Sequence, residues 1–194
     1  VDQDVHALGS LKQLLTGGER LSPHHVRRAL QACPSLTLIN GYGPTEGTTF
    51  ALTHPITAAD CDHAQGIPIG KAIRATATQV DWHDAEHDVG ELIVGGPGVA
   101  LGYLGQAHHG PESPFFRDGH QRWYRTGDLV RLDHNGVHAY VGRKDHQVKI
   151  QGHRIEIDEV ERQLLSCPGV SEAVVVSMGE RADQKFLATA IKAA

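Results

Sequence analysis

The stretch LKQLLTGGERLSPHHVRRALQACPSLTLINGYGPTE, residues 11–46, decides the fold. Its first apolar run, residues 11–15, is cut off by Thr16-Gly17-Gly18, which predicts a short buried strand. Ser22-Pro23 then supplies a helix N-cap followed by proline at the first helical position. Val26, Ala29, Leu30 and Cys33 recur at i, i+3, i+4 and i+7, one apolar face of a helix that Pro34 ends. A second strand-like run covers residues 36–39. Strand, helix and strand within this span make a βαβ unit, hence a parallel sheet with a right-handed crossover. The second strand runs straight into Asn40-Gly41-Tyr42-Gly43-Pro44-Thr45-Glu46. Ligands of open parallel sheets sit outside the carboxyl ends of the strands, so that string occupies a favoured place for one.

Downstream, from about residue 67, the pattern changes to short β segments: residues 90–94, 123–132 and 137–141. Asp133-His134-Asn135-Gly136 between the last two signals a hairpin turn. A helix is expected to begin near Asp158, with Glu161 three residues on as a capping-box partner, and Val160, Leu164 and Leu165 at helical spacing. Residues 174–176 and 186–191 read as strands, so the last part resembles the opening of a small α+β subdomain.

Composition narrows the function classes. The chain has 194 residues, 40% hydrophobic and 21% charged, with a net charge of -5. Charges of both signs are interspersed, which offers no attraction to nucleic acid or anionic membrane. Cys33, Cys61 and Cys167 form no CxxC, so neither a disulfide framework nor a cysteine zinc site is indicated, and reduced thiols in the cytoplasm are expected. No apolar run approaches a membrane span and no signal-peptide pattern opens the sequence. Among the 14 histidines, His83 and His87 share i,i+4 spacing but fall in a stretch read as a loop. The adjacent pairs His24-His25 and His108-His109 would not share a helix face, and no HExxH occurs. A start at Val1 and an end at Ala194 just after a strand-like run suggest a piece of a longer chain.

Four separated strings then point one way: the one at residues 40–46; Gly-Glu-Leu-Ile-Val-Gly-Gly-Pro-Gly-Val-Ala-Leu-Gly-Tyr-Leu at 90–104; Tyr124-Arg125-Thr126-Gly127-Asp128; and Gly-Arg-Lys-Asp-His-Gln-Val-Lys-Ile-Gln-Gly-His-Arg-Ile-Glu-Ile at 142–157. In this order and spacing they resemble the later core motifs of the adenylate-forming superfamily, and their wording is similar to the amino-acid adenylation domains of nonribosomal peptide synthetases. The resemblance implies an α/β fold. It places the back half of the large subdomain, a parallel sheet plus a distorted β-barrel, at residues 1–142, a hinge at 143–145, and the start of a small α+β lid at 146–194. It implies ATP-dependent activation of an amino acid as aminoacyl-adenylate, then transfer to the phosphopantetheine thiol of a carrier protein. A downstream carrier protein and other synthetase modules would be its partners, with neither nucleic acid nor membrane involved.

The same resemblance assigns residues. Glu46 matches the acidic residue that holds Mg²⁺, and Thr45 the hydroxyl that donates to the α-phosphate. Asn40 and Gly41 belong to the nucleotide-binding string, and Tyr42 matches the aromatic on which adenine stacks. Asp128 matches the acceptor of both ribose hydroxyls, a task suited to a carboxylate's two oxygens. Arg143 matches the arginine that contacts the ribose and phosphate region, and Asp145 the hinge, where large φ/ψ changes would swap two catalytic geometries. Lys149 and Gly152 fall where the family lines a carrier-arm tunnel. Leu15, Gly17, Gly41, Thr49 and Phe50 match part of the side-chain pocket. Two glycines leave room, and Leu15 and Phe50 give an uncharged wall, so a branched aliphatic, valine-like side chain fits best. Taken singly, Tyr42 would read as a packed aromatic and Glu46 as a helix-start acid.

Departures are equally specific. Leu101 and Gln151 stand where the family usually has Arg, which predicts weaker surface contacts. No Ser/Thr/Gly-rich phosphate loop appears, and Lys192 is in no context matching the family's C-terminal catalytic lysine. Residues 1–194 alone are therefore expected to catalyse poorly. Two other readings stay open: an acyl-CoA synthetase or aryl acid ligase of the same superfamily, and a non-catalytic nucleotide-binding fragment.

Overall fold

A computed structural model describes residues 3–63, 65–84, 88–105, 113–150, 152–179 and 184–193. His87, His108, His109 and Gln151 lie outside the described residues. By its contacts the chain divides into two compact units, Val1–Lys144 and Asp145–Ala194.

In the first unit, strand β1 (Gln13–Gly17) pairs in parallel with β2 (Thr37–Tyr42), in the register Leu14↔Leu38 and Gly17↔Gly41. The crossover is helix α1 (Pro23–Ala32), with proline in its first turn as the sequence predicts. Ser22 caps through its backbone carbonyl, which accepts the Val26 N–H at 3.0 Å, and its side chain makes no cap bond. Val26, Ala29 and Cys33 are buried, and Val26 and Ala29 pack with Val5, Leu38, Ile56, Cys61 and Ile67. One expectation fails: β1 is not buried. Among the described residues it pairs on one side only, and Leu15 is 44% exposed. An edge strand has a neighbour on one side, so an apolar run by itself does not guarantee burial.

Past β2 the chain returns antiparallel as β3 (Leu52–Pro55) and the short β4 (Lys71–Ala72), giving the order β1-β2-β3-β4. A second, antiparallel sheet follows, the part read as a distorted barrel. It contains β5 (Ala77–Asp84), β6 (Val89–Gly95), β7 (Phe115–Asp118), β8 (Gln121–Leu132) and β9 (His138–Arg143). The order is β5-β6-β8-β7, with β9 also on β8. The stretch around His83 read as a loop is part of β5, with a bulge between Trp82 and Asp84. The bulge breaks the register and so disguises the strand in the sequence. Between β8 and β9 the predicted hairpin turn forms, with the Asp133 carboxylate accepting the N–H groups of Asn135 (2.9 Å) and Val137 (2.7 Å).

Long β8 is the spine of the unit. Its burial alternates, so Tyr124, Thr126, Asp128 and Val130 point inward on one face. Tyr124 and Val130 join Leu52, Leu92, Val94, Val99 and Phe115 in the core. Asp128 occupies a position where the pattern asks for an apolar residue. An isolated bridge, Gly70↔His138, ties β9 to the segment before β4. There the buried His138 ring bonds through Nδ1 to the Gly70 carbonyl at 2.9 Å. Burial holds its pKa below the ordinary histidine value, although that bond works in the opposite direction.

The second unit, described by itself, has a hairpin of β10 (Val148–Ile150) and β11 (His153–Ile155), helix α2 (Ile157–Leu165), and the antiparallel pair β12 (Val170–Met178) and β13 (Phe186–Ala193). The expected capping box does not form. The Glu161 carboxylate instead accepts the Val175 N–H of β12 at 2.8 Å, anchoring the helix to the strand. No helix among the described residues is long and apolar enough to cross a membrane.

Candidate active site

Two buried carboxylates of the first unit, Asp128 and Glu46, organise the site; they are 7% and 6% exposed. Asp128 is built by strand register. It lies opposite Arg143 across the β8–β9 pair, and Arg143 Nη1 donates to Asp128 Oδ1 and to the Thr126 carbonyl, each at 2.9 Å. The Asp128 N–H donates to Thr126 Oγ1 at 3.0 Å, and that hydroxyl donates to the Leu92 carbonyl of β6 at 2.7 Å. The other oxygen, Asp128 Oδ2, accepts the Tyr42 hydroxyl. Burial, and then the neighbouring Asp128 charge, hold the Tyr42 phenol well above the ordinary tyrosine pKa, so it remains a donor.

Glu46 is built by a turn. After Pro44, residues Thr45–Gly47 make a single 3-10 turn. It is held from outside by the Ala100 N–H, which donates to the Glu46 carbonyl at 2.8 Å, and by Thr48 Oγ1, which donates to the Gly98 carbonyl at 2.7 Å. The Tyr103 hydroxyl donates to Glu46 Oε1 and lies 3.4 Å from the Tyr124 hydroxyl on β8. Burial and the Glu46 bond raise the Tyr103 pKa. The string at 40–46 therefore sends Tyr42 to one carboxylate and contains the other, while β8 carries Asp128 and the tyrosine behind Glu46. A single strand backs both ends.

The remaining expected residues divide. Leu15, Gly17, Gly41 and Phe50 come together: a Cβ on Gly41 would sit 2.6 Å from Phe50 Cε1 and 3.1 Å from Leu15 Cδ1, and one on Gly17 only 1.9 Å from the Gly41 oxygen. Phe50 is aimed by a tight turn in which its N–H donates to the Thr48 carbonyl at 2.9 Å. Thr48 and Thr49 on that turn have φ of 61° and 69°, a strained region for β-branched residues. Thr49 is thus the exposed centre of the turn and sets the direction of Phe50. Thr45 is exposed beside Glu46. Asn40 is committed to bracing, its Nδ2 donating to the Pro68 carbonyl at 2.8 Å. Asp145 opens the second unit, where its Oδ1 accepts the Gln147 N–H at 3.1 Å, and Lys149 and Gly152 are exposed. Leu101 is 69% exposed, so the change from the family's Arg removes nothing from the core.

Three residues escaped the sequence analysis. Tyr103 and Tyr124 stand inside the quoted strings, and the visible signal was a phenol next to glycine in one and at the head of the other. Glu91 is the third. It is buried on β6, accepts the Gly127 N–H at 3.1 Å, and meets Arg125 at 3.2 Å and Lys144 at 3.4 Å. A charge inside the otherwise apolar Glu91-Leu92-Ile93-Val94 run was its signal. Among the described residues no group of three or more His, Cys, Asp or Glu could hold a metal unaided.

A mixed sheet that runs into the string at 40–46, with two buried carboxylates beside it, places the molecule among the α/β proteins. The chain belongs to the AMP-binding enzyme family, which matches residues 1–104. It is similar to gramicidin S synthase 2 of Brevibacillus brevis, 43% identical over 91% of this chain and 4% of that protein. Its fold superposes with a TM-score of 0.86 and 39% identity on holo-PA1221, an NRPS protein containing adenylation and PCP domains bound to a vinylsulfonamide inhibitor, covering 100% of this chain and 35% of that one. The Vibrio cholerae adenylation domain AlmE, in complex with glycyl-adenosine-5'-phosphate, matches with a TM-score of 0.77 and 29% identity over 95% of this chain and 36% of its own. The chain thus spans about a third of the length of these two solved relatives.

Proposed function

We propose that this chain forms part of an adenylation domain of a nonribosomal peptide synthetase, activating an amino acid with ATP. The reaction joins a carboxylate oxygen of the amino acid to the α-phosphorus of ATP and breaks the α–β bridge, so that pyrophosphate leaves. The acyl group then passes to the phosphopantetheine thiol of a carrier protein, with AMP as the second product. The convergence of Tyr42 on Asp128 and of Tyr103 on Glu46 carries this proposal.

In this reading Asp128 accepts ribose hydroxyls, oriented by Arg143, and Tyr42 offers its ring to the base. Thr45 donates to a phosphate oxygen. Glu46 suits Mg²⁺: that ion is bound by one or two carboxylates together with substrate phosphates, not by an all-protein cage, which agrees with a buried carboxylate beside an exposed hydroxyl. Bound there, Mg²⁺ would neutralise phosphate charge. Asp145 serves as the hinge residue. The Leu15, Gly17, Gly41 and Phe50 pocket takes a branched aliphatic side chain, valine-like. Pyrophosphate exchange in the complete protein carrying this segment tests both levels: valine-dependent exchange supports them, a glutamate preference refutes the substrate, and release of a CoA thioester refutes the synthetase assignment.

A further inference from the structure

We propose that Tyr103 is a positioning residue that fixes the orientation of the Glu46 carboxylate for a divalent cation. The proposal deepens the function above and rests on its assignment of Glu46. A glutamate on a one-turn helix has several rotamers open to it, and a metal ligand must hold one. The Tyr103 hydroxyl supplies such a constraint by donating to Oε1. Orienting groups behind a ligand of this kind typically change metal affinity by about 10–100-fold.

The segment carrying Tyr103 is arranged for this task. It grips the Glu46 turn at two backbone points, Ala100 to the Glu46 carbonyl and Gly98 from Thr48. Leu101 and Leu104 on either side of Tyr103 point to solvent, at 69% and 103% exposure, so apolar burial of these neighbours does not hold the segment in place. Tyr103 instead packs edge-on against Phe115, with ring centroids 5.2 Å apart, and Phe115 packs against Tyr124 at 5.0 Å. The partly exposed ring rests edge-on against the core residue Phe115, and the hydroxyl at its tip reaches the carboxylate. These two duties separate by mutation: Tyr103→Phe keeps the ring packing and deletes the hydroxyl.

The test compares ATP affinity with and without Mg²⁺, measured by calorimetry on the complete protein carrying this chain. The ratio of the two dissociation constants is the coupling between nucleotide and metal. In Tyr103→Phe this ratio is expected to fall about tenfold, at the lower end of what such orienting groups contribute, while metal-free ATP affinity and the melting temperature stay unchanged. Adding Tyr103→Phe to Glu46→Gln should change the ratio no further, because the hydroxyl acts through that carboxylate. An unchanged ratio in Tyr103→Phe, with a collapsed ratio in Glu46→Gln, overturns the role of Tyr103 alone. An unchanged ratio in Glu46→Gln overturns the metal assignment and this proposal together. Should Tyr103→Phe melt early, Tyr124→Phe is the second test, since its hydroxyl lies 3.4 Å behind that of Tyr103: a smaller fall in the ratio supports the proposal and an unchanged ratio overturns it.

Discussion

Asp128 and Glu46 are equally buried, yet the molecule holds them by different means. Asp128 sits on a strand paired on both sides, in fixed register with a cation, Arg143, whose guanidinium is 2.9 Å away. Glu46 sits on a single turn closed by two residues of positive φ, and the donor that meets it from Tyr103 is a neutral phenol. The strand-built carboxylate is charge-balanced by the protein itself, which suits the binding of neutral hydroxyl groups. The turn-built one is met by a phenol, a donor that carries no charge of its own. Two carboxylates of similar burial thus have different supports, in keeping with the different ligands proposed for them.

The sharpest way to break this comparison is Glu46→Gln. Pyrophosphate exchange in the complete protein should drop by roughly 10²–10³-fold, the range seen when one preorganised electrostatic group is lost from an active site. Thermal stability should hold or rise, since removing a buried charge relieves desolvation. Asp128→Asn should behave in the opposite sense. It leaves the Arg143 guanidinium without its carboxylate, and urea titration should show a loss of about 2–4 kcal/mol.

Gly41→Ala tests the pocket between the two poles. Its Cβ would stand 2.6 Å from Phe50 Cε1, and overpacking of this kind costs about 1–3 kcal/mol. A raised KM for the amino acid, with the KM for ATP unchanged, would show that Phe50 has moved into the pocket. The smallest effect concerns the strand frame at His138. Its folded-state pKa is depressed, so the unfolded chain takes up the proton first as the pH falls. The His138 contribution is therefore complete above about pH 6.5 and declines as the pH drops through the folded value. His138→Asn should flatten that part of the pH dependence of the urea midpoint while leaving exchange activity at neutral pH unchanged.

Much of this is legible in the sequence itself. Proline and glycine punctuation around an apolar helix face specified the βαβ unit, because local backbone restrictions and 3.6-residue periodicity act over short distances. The Asp133–Gly136 turn was equally plain, since its side-chain bonds are to its own backbone. Where the sequence misled, the cause was non-local. The exposure of β1 goes with its single paired neighbour among the described residues, and the strand identity of residues 81–84 with pairing to β6 across a bulge. Glu161 looked like a cap because spacing alone suggested it, yet it found a better partner on another element.

What the residue order alone determined is the catalogue of chemistry: a carboxylate in each of two motif strings, a phenol and a hydroxyl beside one of them, and the family to which those strings belong. Only the tertiary structure decided which group faces which. The match of Tyr42 to Asp128, 86 positions apart, and of Tyr103 to Glu46, 57 apart, depends on strand register and loop closure. Such pairings depend on contacts between segments that have no local propensity for one another, so no window of sequence holds them.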